Sequence, residues 1–473
     1  MLVVCPLASI CPSDEVSGVI PNTSLLDRWA GIADGPDAEA NVRLARGAAS
    51  SFVFKIVYSG LSFLGGLLLA RWLGTAGYGA YAYAMAWIWF LVPAALVGLD
   101  TLLVREMAAY QVQSAWGEMR AFLLQAHWAV LCVSVGLALG AAALARVFAF
   151  HADPEVLATL WAALFILPFM ALTRVGQAIL QGLHQVTMGL LPSLVVQPVI
   201  FVSFLMGAHW LAPKFVTAPG AMKLNAASFA IAWMILVGVL WRYFPEAGKR
   251  AEPVQRNLSW FRSVLPLLLF AGMCMVNGQA DILLLGMIKG VREAGVYQVA
   301  SRTSGLIAFF LLAAMPALAP EISSLYAARR MDRLQQVITR AVRLTLLASL
   351  PVGLALIIFG RWLLGHLFGA DFAQAGNALA ILSVGQLANV AMGSAYYMLL
   401  MMGLEVATAK GMAAGAVANI VLNATLIPKW GLEGAAFASA TSMILWNIWL
   451  SVLAYKRLGV HSTALGRIWL ASR

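Results

Sequence analysis

The sequence predicts an all-α polytopic membrane protein of about twelve transmembrane helices, in two similar halves that meet at a central pathway. Three observations lead there. Hydrophobic residues make up 62% of the chain and charged residues 11%, about half the charge of a soluble domain. The apolar residues fall into runs of about 20, long enough for an α-helix to cross a bilayer and too long for barrel strands. One stretch is also repeated. Leu67 to Leu69, Gly74 and Gly79-x-Tyr81-x-x-Ala84 reappear 216 residues later as Leu283 to Leu285, Gly290 and Gly295-x-Tyr297-x-x-Ala300. So long a period is no solenoid repeat. In a hydrophobic chain it indicates two similar bundles meeting at a central pathway.

Residues 1–45 stand apart. Met1 to Cys11 is apolar with no basic segment before it, and Pro12-Ser-Asp-Glu15 follows at once, which makes a poor signal peptide. Asp, Pro, Gly and Asn recur as far as Asn41, so the stretch reads as a disordered or loosely interfacial leader, or as the product of a misassigned start. Twelve apolar runs follow, numbered here as spans 1 to 12: 50–73, 79–103, 121–145, 155–177, 187–211, 224–243, 262–288, 294–320, 340–360, 375–401, 410–428 and 434–455. Twelve divides into six and six at the basic segment from Arg242 to Arg262. The plan is an N-terminal lobe over 46–245, a linker over 246–261, a C-terminal lobe over 262–457 and a tail over 458–473.

Net charge is +11, and its placement matters more than its sum. With the spans alternating in direction, twenty-one Lys and Arg fall on the side of the termini, eight on the other, and two, Lys55 and Arg302, inside spans. The positive-inside rule then places both termini in the cytoplasm. Nucleic-acid binding would need a concentrated basic face on a soluble module, and the sequence has none. Loops 102–120, 242–262 and 321–340 are longer and charged, with helical periodicity in Leu325-Tyr-Ala-Ala-Arg-Arg-Met-Asp-Arg-Leu-Gln335. They read as amphipathic helices lying on the cytoplasmic surface. Cys5, Cys11, Cys132 and Cys274 have neither metal nor disulfide spacing.

Several short patterns occur in a telling order. Leu73-Gly-x-x-x-x-Gly79-x-Tyr81 closes the first hairpin, and Gly98-Leu-Asp100-Thr-Leu-Leu-Val-Arg105-Glu-Met-Ala ends span 2. Asp281-Ile-Leu-Leu-Leu-Gly and then Gly295-Val-Tyr297 open the second half, and Pro320-Glu-Ile-Ser323-Ser-Leu-Tyr ends span 8. Phe368-Gly-Ala-Asp-Phe372, Gly385-Gln-Leu-Ala-Asn389 and Asn419-Ile-Val-Leu-Asn423-Ala-Thr-Leu-Ile-Pro428-Lys-Trp-Gly431-Leu-Glu-Gly434 follow. In this order the chain, over about residues 45–457, resembles the oligosaccharide flippases of the polysaccharide-export family. These belong to the multidrug/oligosaccharidyl-lipid/polysaccharide exporter superfamily. The resemblance implies two six-helix lobes around a central cavity, opening alternately to each side. It also implies a lipid-linked sugar as cargo, its head group in the cavity and its polyprenyl tail in the bilayer. Many relatives have fourteen spans where this chain has twelve.

Charged and polar groups inside spans are the candidate site. Asp281 and Arg302 lie at similar depth on adjacent antiparallel helices, about 10–12 Å below the outer surface. An ion pair there would either gate the cavity and touch an anionic head group or simply pin the hairpin. Lys55, near the start of span 1, would bind a pyrophosphate from the cavity or extend its stem to the lipid head groups. Arg174, Gln177, Gln181 and His184 form one stripe at the end of span 4, either a vestibule with donors for sugar and phosphate or the wet side of an interfacial turn. Asp100 is a candidate cavity acid, and Arg105 a cap for helix carbonyls or a lipid-phosphate contact. Gln386 with Asn389, and Asn419 with Asn423, place paired amides on single faces of spans 10 and 11, where interhelical glue is the simpler role and cargo contact the other. Pro192, Pro198, Pro266, Pro316 and Pro351 predict kinks. Trp161, Trp241, Trp260, Trp362 and Trp446 read as interfacial belt residues before they read as sugar platforms.

Catalysis finds little support. The six histidines are scattered, so no metal cluster is visible; no Walker loop is present, and no cofactor is implied. Transport would draw on a coupling ion, the membrane potential or a partner such as a polysaccharide polymerase. The leading expectation is alternating-access translocation of a lipid-linked oligosaccharide. A cation-coupled multidrug exporter of the same superfamily would favour acids in the N-terminal bundle, where Asp100 alone is a candidate. A membrane-embedded glycan-pathway transferase would want a large outward loop, and the sequence offers none.

Overall fold

The computed structural model describes residues 38–148, 153–254, 261–393, 395–402 and 404–466. Those residues are helical almost throughout. Most of the predicted leader, with Cys5 and Cys11, lies outside them, as do Arg256 and Trp260. Helix begins at Ala38, inside the stretch expected to be disordered; Ala-Glu-Ala-Asn-Val-Arg-Leu-Ala-Arg is rich in good helix formers.

Helix α1 (Ala38–Leu96) carries spans 1 and 2, α2 (Leu99–Val112) continues span 2, and α3 (Trp116–Phe148) is span 3. Span 4 is α4 (Pro154–Leu164) with α5 (Ile166–Gly182); span 5 is α6 (Val186–Leu191), a π-helical turn Pro192–Val196 and α7 (Gln197–Leu211); span 6 is α8 (Ala218–Tyr243). After α9 (Glu246–Arg250), span 7 is α10 (Phe261–Lys289). Span 8 is α11 (Val291–Ser304), a 3₁₀ stretch Gly305–Ala308 and α12 (Phe309–Ala327). Span 9 is α13 (Met331–Phe368), span 10 is α14 (Gly376–Ala391) with α15 (Ala395–Met401), and α16 (Glu405–Leu458) carries spans 11 and 12.

Nine helical stretches among the described residues are long and apolar enough to cross a membrane. Two of them, Ser50–Leu96 and Val406–Leu458, hold 47 and 53 residues, about twice the reach of one crossing. Each folds back at a glycine that no L-residue would replace comfortably: Gly74 (φ 67°) and Gly431 (φ 53°). With α10, the chain makes the twelve crossings that its apolar runs predict. It is a multi-pass membrane protein of two lobes. Gly290, the repeat partner of Gly74, shares its backbone geometry (φ 96°, ψ 162° against φ 67°, ψ −173°), so the repeated glycine performs the same turn in both halves. The face carrying the chain ends is called terminal here, and the face with the Gly74, Gly290, Gly369 and Gly431 hairpins distal.

The charged loops differ from expectation. The Leu325–Gln335 stretch forms no separate surface helix; it is the end of α12, a turn at Ala328–Arg330 and the start of α13. At 38 residues α13 is about 57 Å long and overshoots a bilayer core of about 30 Å, so its polar start projects beyond the membrane. Residues 102–112 likewise prolong span 2. The tail is tied down. Gln335 exchanges two hydrogen bonds with the backbone of His461 (2.9 and 2.7 Å), and Ala464 N–H donates to the carbonyl of Ala391, freed where span 10 breaks at Gly393.

The lobes meet along spans 1 and 2 of one and spans 7 and 8 of the other. Lipid tails are as apolar as leucine, so membrane helices associate by close approach of small residues rather than by hydrophobic expulsion. Here the repeated glycines themselves touch. A Cβ on Gly79 would stand 2.1 Å from the carbonyl oxygen of Val291, and one on Gly295 would stand 2.5 Å from Cα of Gly79. Nearby, Tyr78 packs edge-on against Phe372 and Phe63 against Phe368. Arg71 at the end of span 1 donates to the carbonyls of His366 and Leu367, the C-terminal orphans of α13. These contacts close the distal face.

Candidate functional site

Each lobe holds a buried polar cluster anchored by the repeated tyrosine. In the N-terminal lobe the Tyr81 hydroxyl accepts from Asn225 (2.9 Å), and Gln197 donates to Asn225 and Ser228 (3.0 Å each). That cluster is neutral and internally bonded. In the C-terminal lobe the Tyr297 hydroxyl donates to Oδ2 of Asp281 (2.9 Å), and Ser439 on span 12 donates to the same oxygen (2.6 Å). The two hydroxyl oxygens are 3.0 Å apart. From span 11, Asn419 donates to Ser442 (3.1 Å), and Asn423 donates to the backbone and side-chain oxygens of Asn419. Two buried acceptors in this cluster make no hydrogen bond of good geometry with the described residues, Asp281 Oδ1 and Asn423 Oδ1, and the Asn419 amide faces the acid from span 11. The repeat counterpart of Asp281 is Gly65, so the acid belongs to one lobe only.

The predicted pair of Asp281 with Arg302 does not form. Five residues along a helix is about 500°, so Tyr297 and Arg302 point about 140° apart on α11. Tyr297 takes the side facing Asp281, and Arg302 faces the other lobe. Its Nη1 donates to the carbonyl of Ser62 on span 1 (3.0 Å), and Gly66 leaves the notch it enters: a Cβ there would lie 2.6 Å from Nη1. Its other N–H groups find no acceptor among the described residues, and the side chain is exposed. Lys55 precedes Ser62 by seven residues, within about 20° of two full turns. It therefore shares that face of span 1, about 10 Å nearer the terminal face. It is half-buried and makes no hydrogen bond or ion pair with the described residues. A cationic strip thus runs along the lobe boundary.

Other expected residues have structural partners. Gln177 is buried and its amide donates to Ser193 inside the N-terminal lobe, while Arg174 and Gln181 are half-buried and His184 is exposed at a turn. The stripe is therefore no continuous wet face. Asp100 sits in the first turn of α2, just after a break at Val97 and Gly98, and accepts the N–H of Thr101 (2.9 Å). There it complements the positive helix end. Arg105 pairs with its neighbour Glu106 (2.9 Å). Gln386, Asn389 and Asn447 form an amide chain from span 10 to span 12, with Asn447 donating to Asn389 (2.9 Å). Trp446 packs inside the lobe against Tyr396 and Gly415 rather than standing in a belt. Sequence reasoning missed Tyr297, Ser439, Gly66 and Arg71. The tyrosine had a signal, since it recurs in both copies of Gly-x-Tyr.

The family model described as polysaccharide biosynthesis protein matches residues 44–326, and the MatE model matches residues 266–428. A probable low-salt glycan biosynthesis flippase of Haloferax volcanii, Agl15, is 22% identical over 240 residues, 49% of this chain and 50% of that protein. The probable flippase AglR of the same organism is 28% identical over 173 residues, 36% of each. The chain thus spans half or less of the length of these relatives. Among solved structures, an inward-facing multidrug resistance MATE family transporter superimposes with a TM-score of 0.69 at 13% identity, covering 86% of this chain and 94% of that one. The lipid II flippase MurJ in an inward closed conformation gives 0.67 at 13% identity, covering 87% of each. These likenesses fix the fold.

Proposed function

The chain belongs to the polysaccharide biosynthesis protein family, and from that premise we propose that it flips a lipid-linked oligosaccharide across the cytoplasmic membrane by alternating access. The observation that carries this reading is Arg302. Among the described residues its guanidinium is held by one backbone carbonyl at the lobe boundary, which leaves donors for an anionic head group. A planar fork suits a phosphate, and Lys55 adds a point charge on the same strip. The polyprenyl tail would stay in the bilayer beside the crevice. The Asp281 cluster serves as the coupling site, where a proton or a monovalent cation neutralises the buried acid. Both termini lie in the cytoplasm, so the conformation described is closed toward the outside. The lobes correspond to residues 46–245 and 262–457, joined by 246–261. Polymerases of the glycan are natural partners, and the chain itself performs transport rather than catalysis.

Cation-coupled drug export is the second reading, favoured by the MatE match. The free cations at the lobe boundary weigh against it, because they repel the cationic drugs such a carrier would take. The test is translocation of a fluorescent lipid-linked sugar in proteoliposomes. Losing one or two charge-assisted hydrogen bonds of about 1.5–3 kcal/mol each predicts a fall of at least tenfold in Arg302→Ala. An unchanged rate in that variant would remove Arg302 from the mechanism, whereas a wild type that exports a cationic dye and leaves the lipid-linked sugar in place would establish the second reading instead.

A further inference from the structure

One short helix joins the two sites. Helix α11 is 14 residues long and is bounded by Gly290 (φ 96°) before it and a 3₁₀ stretch, Gly305–Ala308, after it. A 3₁₀ interruption within a span is a common mark of a hinge. Between those ends it carries Gly295, the contact with Gly79 of the other lobe; Tyr297, bonded to Asp281; and Arg302, reaching to Ser62. From these placements we propose that Tyr297 is a positioning residue of the transport cycle: its hydroxyl passes the state of Asp281 to Arg302 through the rigid turns of α11.

The hydrogen count at the cluster supplies the switch. Oδ2 of Asp281 accepts from both Tyr297 and Ser439, so neither hydroxyl has a hydrogen left for the 3.0 Å separation between them. A proton or monovalent cation arriving at the unpartnered Oδ1 weakens Oδ2 as an acceptor. One hydroxyl can then turn its hydrogen to the other, and Tyr297 is released from the acid. The groups facing Asp281 from the packed helices are Tyr297 on span 8, Ser439 on span 12 and Asn419 on span 11; of these only Tyr297 is titratable. Tyr81, its counterpart, stands in a neutral cluster with no acid to report. Arg302 lies within electrostatic reach of Tyr81, so Tyr81→Phe can alter the affinity for an anion, and as a control it is read by its response to cation and proton alone.

The proposal rests on Asp281 as the coupling site and Arg302 as the phosphate site, and the experiment separates these. Binding of farnesyl pyrophosphate to the purified full-length protein is measured in sodium and in potassium buffer, and at acidic and alkaline pH. Coupled sites alter each other's affinities reciprocally, commonly by about 5- to 150-fold. The wild type is expected to change its affinity about tenfold with the cation or the proton. Tyr297→Phe keeps the buried ring and should bind the probe with little response to either, as should Asp281→Asn. Tyr81→Phe should respond like the wild type. The probe's own titration is common to every variant and cancels in the comparison. A Tyr297→Phe protein that keeps the full response overturns the proposal, even if its thermal stability falls. A wild type indifferent to both ions also overturns it, while loss of binding in Arg302→Ala would leave the phosphate reading standing.

Discussion

Adding a single methyl at Gly79 should open the distal face. In the structure its Cβ would lie 2.1 Å from the Val291 carbonyl oxygen and 2.7 Å from the carbonyl carbon. Ordinary carbon–oxygen contact requires a little over 3 Å, so the lobes must part by about 1 Å at a point where both neighbours are backbone and neither can rotate away. Overpacking of this kind costs about 1–3 kcal/mol. Because the clash exists only where the lobes touch, the cost falls on the distally closed state, and the equilibrium moves about 5- to 150-fold toward opening. Thr75 reports this. It is 6% exposed, and its carbonyl would be 3.1 Å from a Cβ on Gly295. With the native cysteines replaced, Thr75→Cys should label with an impermeant maleimide at least fivefold faster in Gly79→Ala or Gly295→Ala. Gly60→Ala, where nothing lies within 4 Å of the new methyl, should label at the parental rate. Equal labelling in all of these proteins, with folding intact, would refute the idea that the repeated glycines form the closing contact.

Two further outcomes follow from the same geometry. Arg71→Ala leaves the carbonyls of His366 and Leu367 to water and removes a cation from the negative end of α13; the same Thr75→Cys assay should show a few-fold faster labelling, while Arg71→Lys, which cannot reproduce the fork, restores the parental rate only in part. Asn447→Ala breaks the amide chain between spans 10 and 12; it should cost about 0.6–1.7 kcal/mol, seen as a lower Tm with translocation retained.

Much of this architecture is legible in the linear sequence. Apolar run length determines the crossings, because a bilayer's thickness sets a helix's length. The Gly74 and Gly290 repeat foretells two equivalent hairpins, since both turns need a φ that other residues avoid. Counting residues along spans 7 and 8 sets Asp281 and Arg302 at similar distances from the Gly290 turn.

Which group each residue meets was decided only in three dimensions. Depth along an axis says nothing about rotation around it, and α11 turns Tyr297 toward Asp281 and Arg302 away from it. Ser439 lies 158 residues from Asp281, and Ser62 lies 240 residues from Arg302; no local periodicity links such distant positions. Breaks at Val97–Gly98 and at Gly305–Ala308 moved Asp100 into a helix start and made α11 a separate unit. The sequence by itself determined how many times the chain crosses and where it turns, because those depend on neighbouring residues and membrane thickness. Folding decided the partners of its charges, because helix rotation is set by packing against helices far away in the chain.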